Sequence, residues 1–202
     1  KEEAMLDAFR HGRDIHAETA MAVWGSTDEP HRTNAKNVNF AILYGAGPKK
    51  IGAMTGAGEI GGNRIVEAYF DAYPGMKRLM GKLSKEARKT GTIRNPFGRL
   101  IQVPQFETYK ALNYFIQSSG ADVMKRALPR LDALAHSVGG AVVLTIHDEV
   151  VFEVPRAAAR GDLFQKIRSA MESGTKGVFG IKLPVDPFYA EASWAEKVEV
   201  IA

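Results

Sequence analysis

The sequence predicts an α+β chain, a long helical part followed by an antiparallel ββαβ unit. Three observations carry that prediction. Apolar residues recur at helical spacing through most of the first 137 positions. After Gly139-Gly140 the pattern changes to two β-branched runs, Val142–Ile146 and Val150–Val154, separated by a polar tripeptide. The hydrophobic share of 45% and charged share of 25% are those of an ordinary globular protein, and no apolar run approaches the roughly 18 to 20 residues of a membrane span.

In chain order, Glu2 to Val23 reads as helix broken at Gly12, with Asp14 placed to cap the second piece. Gly25 to His31 is a loop of small, acidic and proline residues. A strong helix runs from Arg32 to Tyr44 and stops at Gly45, Gly47 and Pro48. A short helix follows over Lys49–Thr55, then a flexible Gly56–Gly62 connection, helix over Ile65–Tyr73 and a turn at Pro74-Gly75. Gly56, Gly58 and Gly61 match G-x-G-x-x-G, but no β-strand precedes them, so they do not predict a dinucleotide fold. Met76 to Lys89 is a basic helix ending near Gly91. A short hairpin is predicted around Asn95, Pro96 and Gly98, then helix over Thr108–Ser137 with kinks near Gly120 and Pro129. The hairpin of β-branched runs, a helix over Ala157–Glu172 and a strand over Lys182–Glu191 complete the ββαβ order.

Composition narrows the chemistry. Without cysteine, disulfides, thiolate metal sites, iron–sulfur clusters and cysteine nucleophiles are excluded. Lys and Arg outnumber Asp and Glu by 27 to 23, and the excess is concentrated. Residues 30–58 carry Arg32, Lys36, Lys49 and Lys50 and no acid, and residues 76–105 hold eight cations against Glu86. A basic first half and an acidic remainder suit a polyanion on one side and metal carboxylates on the other, although a solvated helix face explains Lys77–Lys89 equally well.

Two constellations stand out. In RTNAKNVNFAILYG, Arg32, Lys36, Phe40 and Tyr44 follow one another by four. Each step turns about 40° on a helix, so the four lie within one face of about 120°, while Ala35, Val38 and Ile42 turn inward. The face runs cation, cation, aromatic, aromatic: charges one turn apart can hold successive phosphates, and a ring beyond them can lie on a base or sugar. His16 joins this group only if its helix lies beside this one. In VVLTIHDEVVFEV, alternation puts Val142, Leu144 and Ile146 on one sheet face and His147, Asp148 and Glu149 at the turn. Magnesium commonly takes one or two such carboxylates, though adjacent turn acids are also often just solvated.

Taken together, R-x-x-x-K-x-x-x-F-x-x-x-Y-G over Arg32–Gly45 and HDE about a hundred residues later resemble the last two motifs of family A DNA polymerases, the DNA polymerase I type. The likeness extends to GRDIHAETA, NPFGRLIQVP, ALNYFIQSSGADVMKRAL and the closing P-x-D-P…ASWAE, and YGAGPKKIGAMTGAG looks like the bacteriophage branch. The resemblance implies helical fingers over 14–105, a palm-like part over 106–202 and a junction remnant over 1–13. It implies that Arg32 and Lys36, with His16 nearby, bind the dNTP triphosphate, and that Phe40 lies against base and sugar. Phe rather than Tyr there goes with poor use of dideoxynucleotides. Tyr44 and Gly45 would border the nascent pair and template base, Asn113 and Gln117 the DNA near the primer end, and Arg99 the DNA backbone. Asp148 would ligate Mg²⁺, with His147 and Glu149 supporting the primer terminus and site. Two Mg²⁺ ions, primer-template DNA and dNTPs are the implied cofactors and partners, in the cytoplasm of a bacterium or phage-infected cell.

The family's first motif, which carries the other metal-binding aspartate and a Glu linked to ribonucleotide exclusion, is not in this sequence; nor is a thumb. The expectation is therefore the C-terminal part of a polymerase, inactive on its own, needing an upstream segment. A non-catalytic DNA- or nucleotide-binding module from a split or decayed gene is the alternative. A single-subunit RNA polymerase fits less well, given the full Phe40–Gly45 pattern and the HDE triplet.

Overall fold

The computed structural model describes residues 2–200 and divides into two compact units, Lys1–Gln117 and Ser118–Ala202. The first unit is helical. α1 (Glu3–Arg10) is followed by α2 (Ile15–Trp24), which Asp14 caps by accepting from the His16 and Ala17 N–H groups at 2.8 and 3.4 Å. α3 spans Glu29–Leu43, three residues longer at its start than predicted. Pro30 sits in the first turn, where its missing N–H costs nothing, and Asp28 caps the helix by accepting from His31 N–H at 3.1 Å. The proline that read as loop is thus a helix start.

α4 (Pro48–Thr55) and α5 (Gly58–Ala72) replace the expected flexible connection with a tight corner. A Cβ on Gly52 would fall 1.9 Å from the Gly58 carbonyl oxygen, and one on Gly62 would fall 2.1 Å from that of Pro48. The two helices therefore meet backbone to backbone, which only glycine permits. α6 (Pro74–Thr90) starts where a turn was predicted. Its Gly75 and Met76 N–H groups donate to the Glu2 carboxylate at 2.6 and 3.3 Å, which satisfies orphan donors of the first turn. Beyond Gly91, β1 (Thr92–Arg94) pairs antiparallel with β2 (Leu100–Gln102), the predicted hairpin. A 3₁₀ stretch, Gln105–Lys110, leads into α7 (Ala111–Ser137), a single helix that contains both Gly120 and Pro129.

The core of the first unit gathers Val38 and Ile42 from α3, Ile51 from α4, Ile65, Tyr69 and the adjoining Tyr73, Leu83 from α6, Ile93 from β1 and Leu112. Each buried aliphatic side chain contributes roughly 1.5–3 kcal/mol. This core fixes which side of α3 is left outside.

The second unit carries the β-rich part. β3 (Ala141–Ile146) and β4 (Glu149–Glu153) form the predicted hairpin. The expected strict alternation fails at Val143, where a register irregularity between Val142 and Leu144 interrupts the pairing. α8 (Gly161–Glu172) begins later than expected because Pro155 directs a 3₁₀ turn, Arg156–Ala158, ahead of it. The third strand shrinks to β5 (Phe188–Tyr189), whose partner is β6 (Val198–Glu199), not the hairpin. The elements follow the ββαβ order within an α+β chain, but the described strands make three two-stranded sheets, not one. Prolines at 184 and 187 remove ladder donors from the predicted strand.

Candidate functional site

Helix α3 presents the four-residue face as the spacing requires. Ala35, Val38 and Ile42 are buried, Lys36 is exposed, and Phe40 and Tyr44 keep 49% and 55% of their surface in solvent. Two large rings held outside a well-filled core are available to a flat ligand. Arg32 is half-buried at the N-terminal end of the face. Its Nε donates to Asp14 Oδ2 at 2.6 Å, and its guanidinium lies 3.7 Å from Glu29. Asp14 thus caps α2 and aims the Arg32 fork at once. The Arg32 hydrogen bond holds the Asp14 carboxyl below its ordinary value of 3.8; desolvation opposes, and the His16 N–H adds to the lowering.

A carboxyl depressed on folding stabilises fully above its ordinary pKa, and that stability is lost as pH falls through the depressed value. Asp14→Asn retains a capping side chain but cannot titrate. Its melting temperature is therefore expected to fall less steeply than wild type below about pH 4; superimposable acid limbs would contradict the ion pair.

His16 does lie beside α3. Its Nδ1 is 3.0 Å from Asn39 Nδ2, and its ring is tilted against Phe40 with centroids 6.1 Å apart. Burial lowers its pKa below 6.5, Arg32 and Lys36 lower it further, and Asp14 opposes them. His16 is accordingly neutral at pH 7, ready to donate one hydrogen bond without competing for charge.

At the other end of α3, Tyr44 is the C-cap, and its hydroxyl accepts from Gln117 Nε2 at 3.3 Å. Gly45 follows with φ 79°, and a Cβ there would meet the Tyr109 ring and carbonyl oxygen, each at 2.9 Å. Both the left-handed backbone and the close approach demand glycine. The structure thereby brings Tyr44, Gly45 and Gln117 together, with Asn113 half-buried one turn before Gln117. Arg99 is exposed on the β1–β2 loop. Buried Asn95 sets that loop by accepting from the Phe97 and Arg99 N–H groups, each at 3.0 Å.

In the second unit, His147 and Asp148 form a two-residue turn, since Ile146 pairs with Glu149. His147 has φ 51°, the one positive value at a non-glycine residue among the described residues. Hairpin turns of two residues need such a φ to match strand twist, and glycine usually supplies it; histidine here carries a cost of order 1 kcal/mol. Asp148 is exposed at the tip, whereas Glu149 Oε1 is 3.1 Å from Lys197 Nζ. That ammonium also lies 5.1 Å from the Phe188 and Trp194 ring centroids. No three His, Asp or Glu side chains converge as a metal cage among the described residues. A single exposed carboxylate on a tight turn is of the oxygen-donor type that hard cations take, usually with water or phosphate completing the shell.

The family model for DNA polymerase family A matches residues 1–196. The chain belongs to this family. Among curated relatives of this family A chain, a DNA polymerase of Mycobacterium phage D29 is 36% identical over 198 residues, covering 96% of this chain and 31% of the phage protein. DNA polymerase I of Lactococcus lactis subsp. lactis is 33% identical over 171 residues, 76% of this chain and 20% of the relative. Phage and bacterial relatives thus both occur. A solved structure, the POL domain of Pol1 from M. smegmatis in complex with DNA primer-template and dNTP, superposes with a TM-score of 0.78 at 25% identity, over 86% of this chain and 33% of that one. The family A chain therefore spans about a third or less of these relatives.

Sequence reasoning missed Asp14 as the partner of Arg32, Asn39 as the partner of His16, and Tyr109 as the surface beneath Gly45. Asn39 had a signal: it lies about 20° from Arg32 on the helical wheel, at the border of the inward side, where a polar residue needs a partner. Tyr109 had none, because its contact comes from the fold.

Proposed function

We propose that this chain is the fingers-and-palm part of a DNA-directed DNA polymerase that adds dNTPs to a primer 3′-OH on a DNA template. The observation that carries the reading is the outward cation, cation, aromatic, aromatic face of α3, with His16 beside it. The neighbour solved with primer-template DNA and dNTP supports the same substrates. Residues 14–105 act as fingers and 106–202 as most of the palm.

Arg32 and Lys36 bind the triphosphate: Arg32 as a fork aimed by Asp14, Lys36 as a point charge one turn on. His16 donates to a phosphate oxygen. Phe40 lies against the base and sugar. Tyr44 and Gly45 border the nascent pair, with Tyr44 steadied by Gln117. Asn113, Gln117 and Arg99 contact DNA, and His147 supports the primer terminus. In the reaction the 3′-oxygen bonds to the α-phosphorus, the bond to pyrophosphate breaks and pyrophosphate leaves with the bond's electron pair, and the hydroxyl proton passes to solvent water. Positioning and charge stabilisation dominate such a transfer. Asp148 would supply one carboxylate to magnesium, which when bound would stabilise charge on the attacking and leaving oxygens. Glu149, held by Lys197, stands next to it. A two-ion site requires a second carboxylate, which we assign to an upstream segment of the complete protein.

Primer extension tests this. The chain alone is expected to give no more than trace product, and the chain together with an upstream segment bearing that carboxylate to extend primers. In the active form Phe40→Tyr should raise dideoxynucleotide incorporation relative to dNTP. Robust extension by the chain alone would contradict the division of ligands, and an unchanged dideoxynucleotide ratio would contradict the sugar contact.

A further inference from the structure

The buried polar network behind α3 has a definite direction. Thr19 is completely buried, and Asn39 keeps only 7% of its surface exposed. The Thr19 hydroxyl lies 2.8 Å from the Ile15 carbonyl oxygen, 2.9 Å from the Tyr73 hydroxyl, 3.1 Å from Asn39 Nδ2 and 3.3 Å from Asn39 Oδ1. A hydroxyl has one proton and two lone pairs, and a carbonyl oxygen can only accept. The Ile15 carbonyl oxygen is the nearer of the two acceptors, Asn39 Oδ1 the farther, so the Thr19 proton goes to Ile15, and Thr19 accepts from Tyr73 O–H and from Asn39 N–H. Burial pushes the Tyr73 phenol above its ordinary pKa, which keeps that donor protonated. The nearer amide atom facing Thr19 is thus the nitrogen, and its second proton points to His16 Nδ1, 3.0 Å away. Turning the amide over would set its oxygen in the nearer position, against the lone pairs of Thr19, and move its nitrogen to the farther one.

We infer that Asn39 is a positioning residue that holds neutral His16 in its Nε2–H tautomer, through a donor chain anchored by Thr19 and Tyr73. With Nδ1 occupied as an acceptor, Nε2–H is the only donor the neutral ring has left. An anion such as a nucleotide phosphate needs a donor, so this tautomer equips the cationic face for it; that use rests on the proposed nucleotide reading, whereas the tautomer does not. The charged groups bearing on the ring are Asp14 from its own helix end and Arg32 and Lys36 from α3.

The test is nitrogen NMR of the protein labelled with ¹⁵N-histidine, above the His16 titration, with His16→Ala assigning the signal. The expected wild-type spectrum has a pyridine-type shift at Nδ1 and a pyrrole-type shift at Nε2. Asn39→Asp replaces the donor by an acceptor of nearly the same shape. It should move the proton to Nδ1 and raise the His16 titration midpoint by about one to two pH units. A pyrrole-type Nδ1 in the wild type overturns the inference, as does a tautomer unmoved in folded Asn39→Asp. The wild-type spectrum decides alone if that variant does not fold. Adding dNTP should then shift Nε2; a tautomer as described with no response to dNTP would count against the nucleotide face while upholding the Asn39 assignment.

Discussion

Gly62→Ala should destabilise the protein by about 2–3 kcal/mol, the upper part of the usual range for overpacking. The added Cβ would sit 2.1 Å from the Pro48 carbonyl oxygen and 2.7 Å from the Gly52 nitrogen, both backbone atoms that cannot swing aside. α4 and α5 must separate, and the small gain in helix propensity, about 1 kcal/mol, is overwhelmed. Gly81→Ala is the internal control. Gly81 is exposed in the middle of α6, and a Cβ there would meet nothing within 4 Å. It should be neutral or stabilising by up to about 1 kcal/mol. Chemical denaturation of the two variants reads both values. Equal stabilities would show that the α4–α5 contact is looser than described. Because α4 follows α3 through Gly45–Gly47, this corner also supports the C-terminal end of the proposed nucleotide face.

Asp148→Asn should reduce primer extension by the complete protein by at least about 10²–10³-fold, corresponding to roughly 3–4 kcal/mol of transition-state stabilisation. The exchange keeps the shape of the turn while removing the charge of the exposed tip. Asp148 lies in a two-residue turn whose backbone is set by His147, so the loss should appear without a change in fold. Steady-state kinetics and circular dichroism separate the two effects. Extension within a factor of a few of wild type would remove Asp148 from the chemistry.

The face of α3 was legible because a helix converts spacing by four into shared direction, and the inward residues were unambiguously apolar. The β3–β4 hairpin was legible because β-branched runs flanking a short polar turn have few other solutions. The Gly56–Gly62 stretch was misread for a physical reason. A missing Cβ serves flexibility and close packing equally, and sequence alone does not say whether another backbone will occupy the space. Pro30 and Pro74 were ambiguous in the same way, since proline suits both a turn and the first turn of a helix. The strand over Lys182–Glu191 shrank to two residues because strand length depends on a partner, and β6 offers only two. Asn39 is the middle case: its place beside the inward stripe was a signal the sequence reading left unused, and the fold revealed His16 and Thr19 as its partners.

The central claim is that Arg32, Lys36 and the rings beyond them form a nucleotide-binding face. The most direct measurement is the equilibrium dNTP affinity of the primer-template complex for wild type and Lys36→Ala. Lys36 is exposed and stands outside the buried core, so its truncation should leave the fold intact. Loss of a charge-assisted phosphate contact of about 1–3 kcal/mol predicts a dissociation constant raised roughly 5- to 150-fold. An unchanged constant would contradict the account.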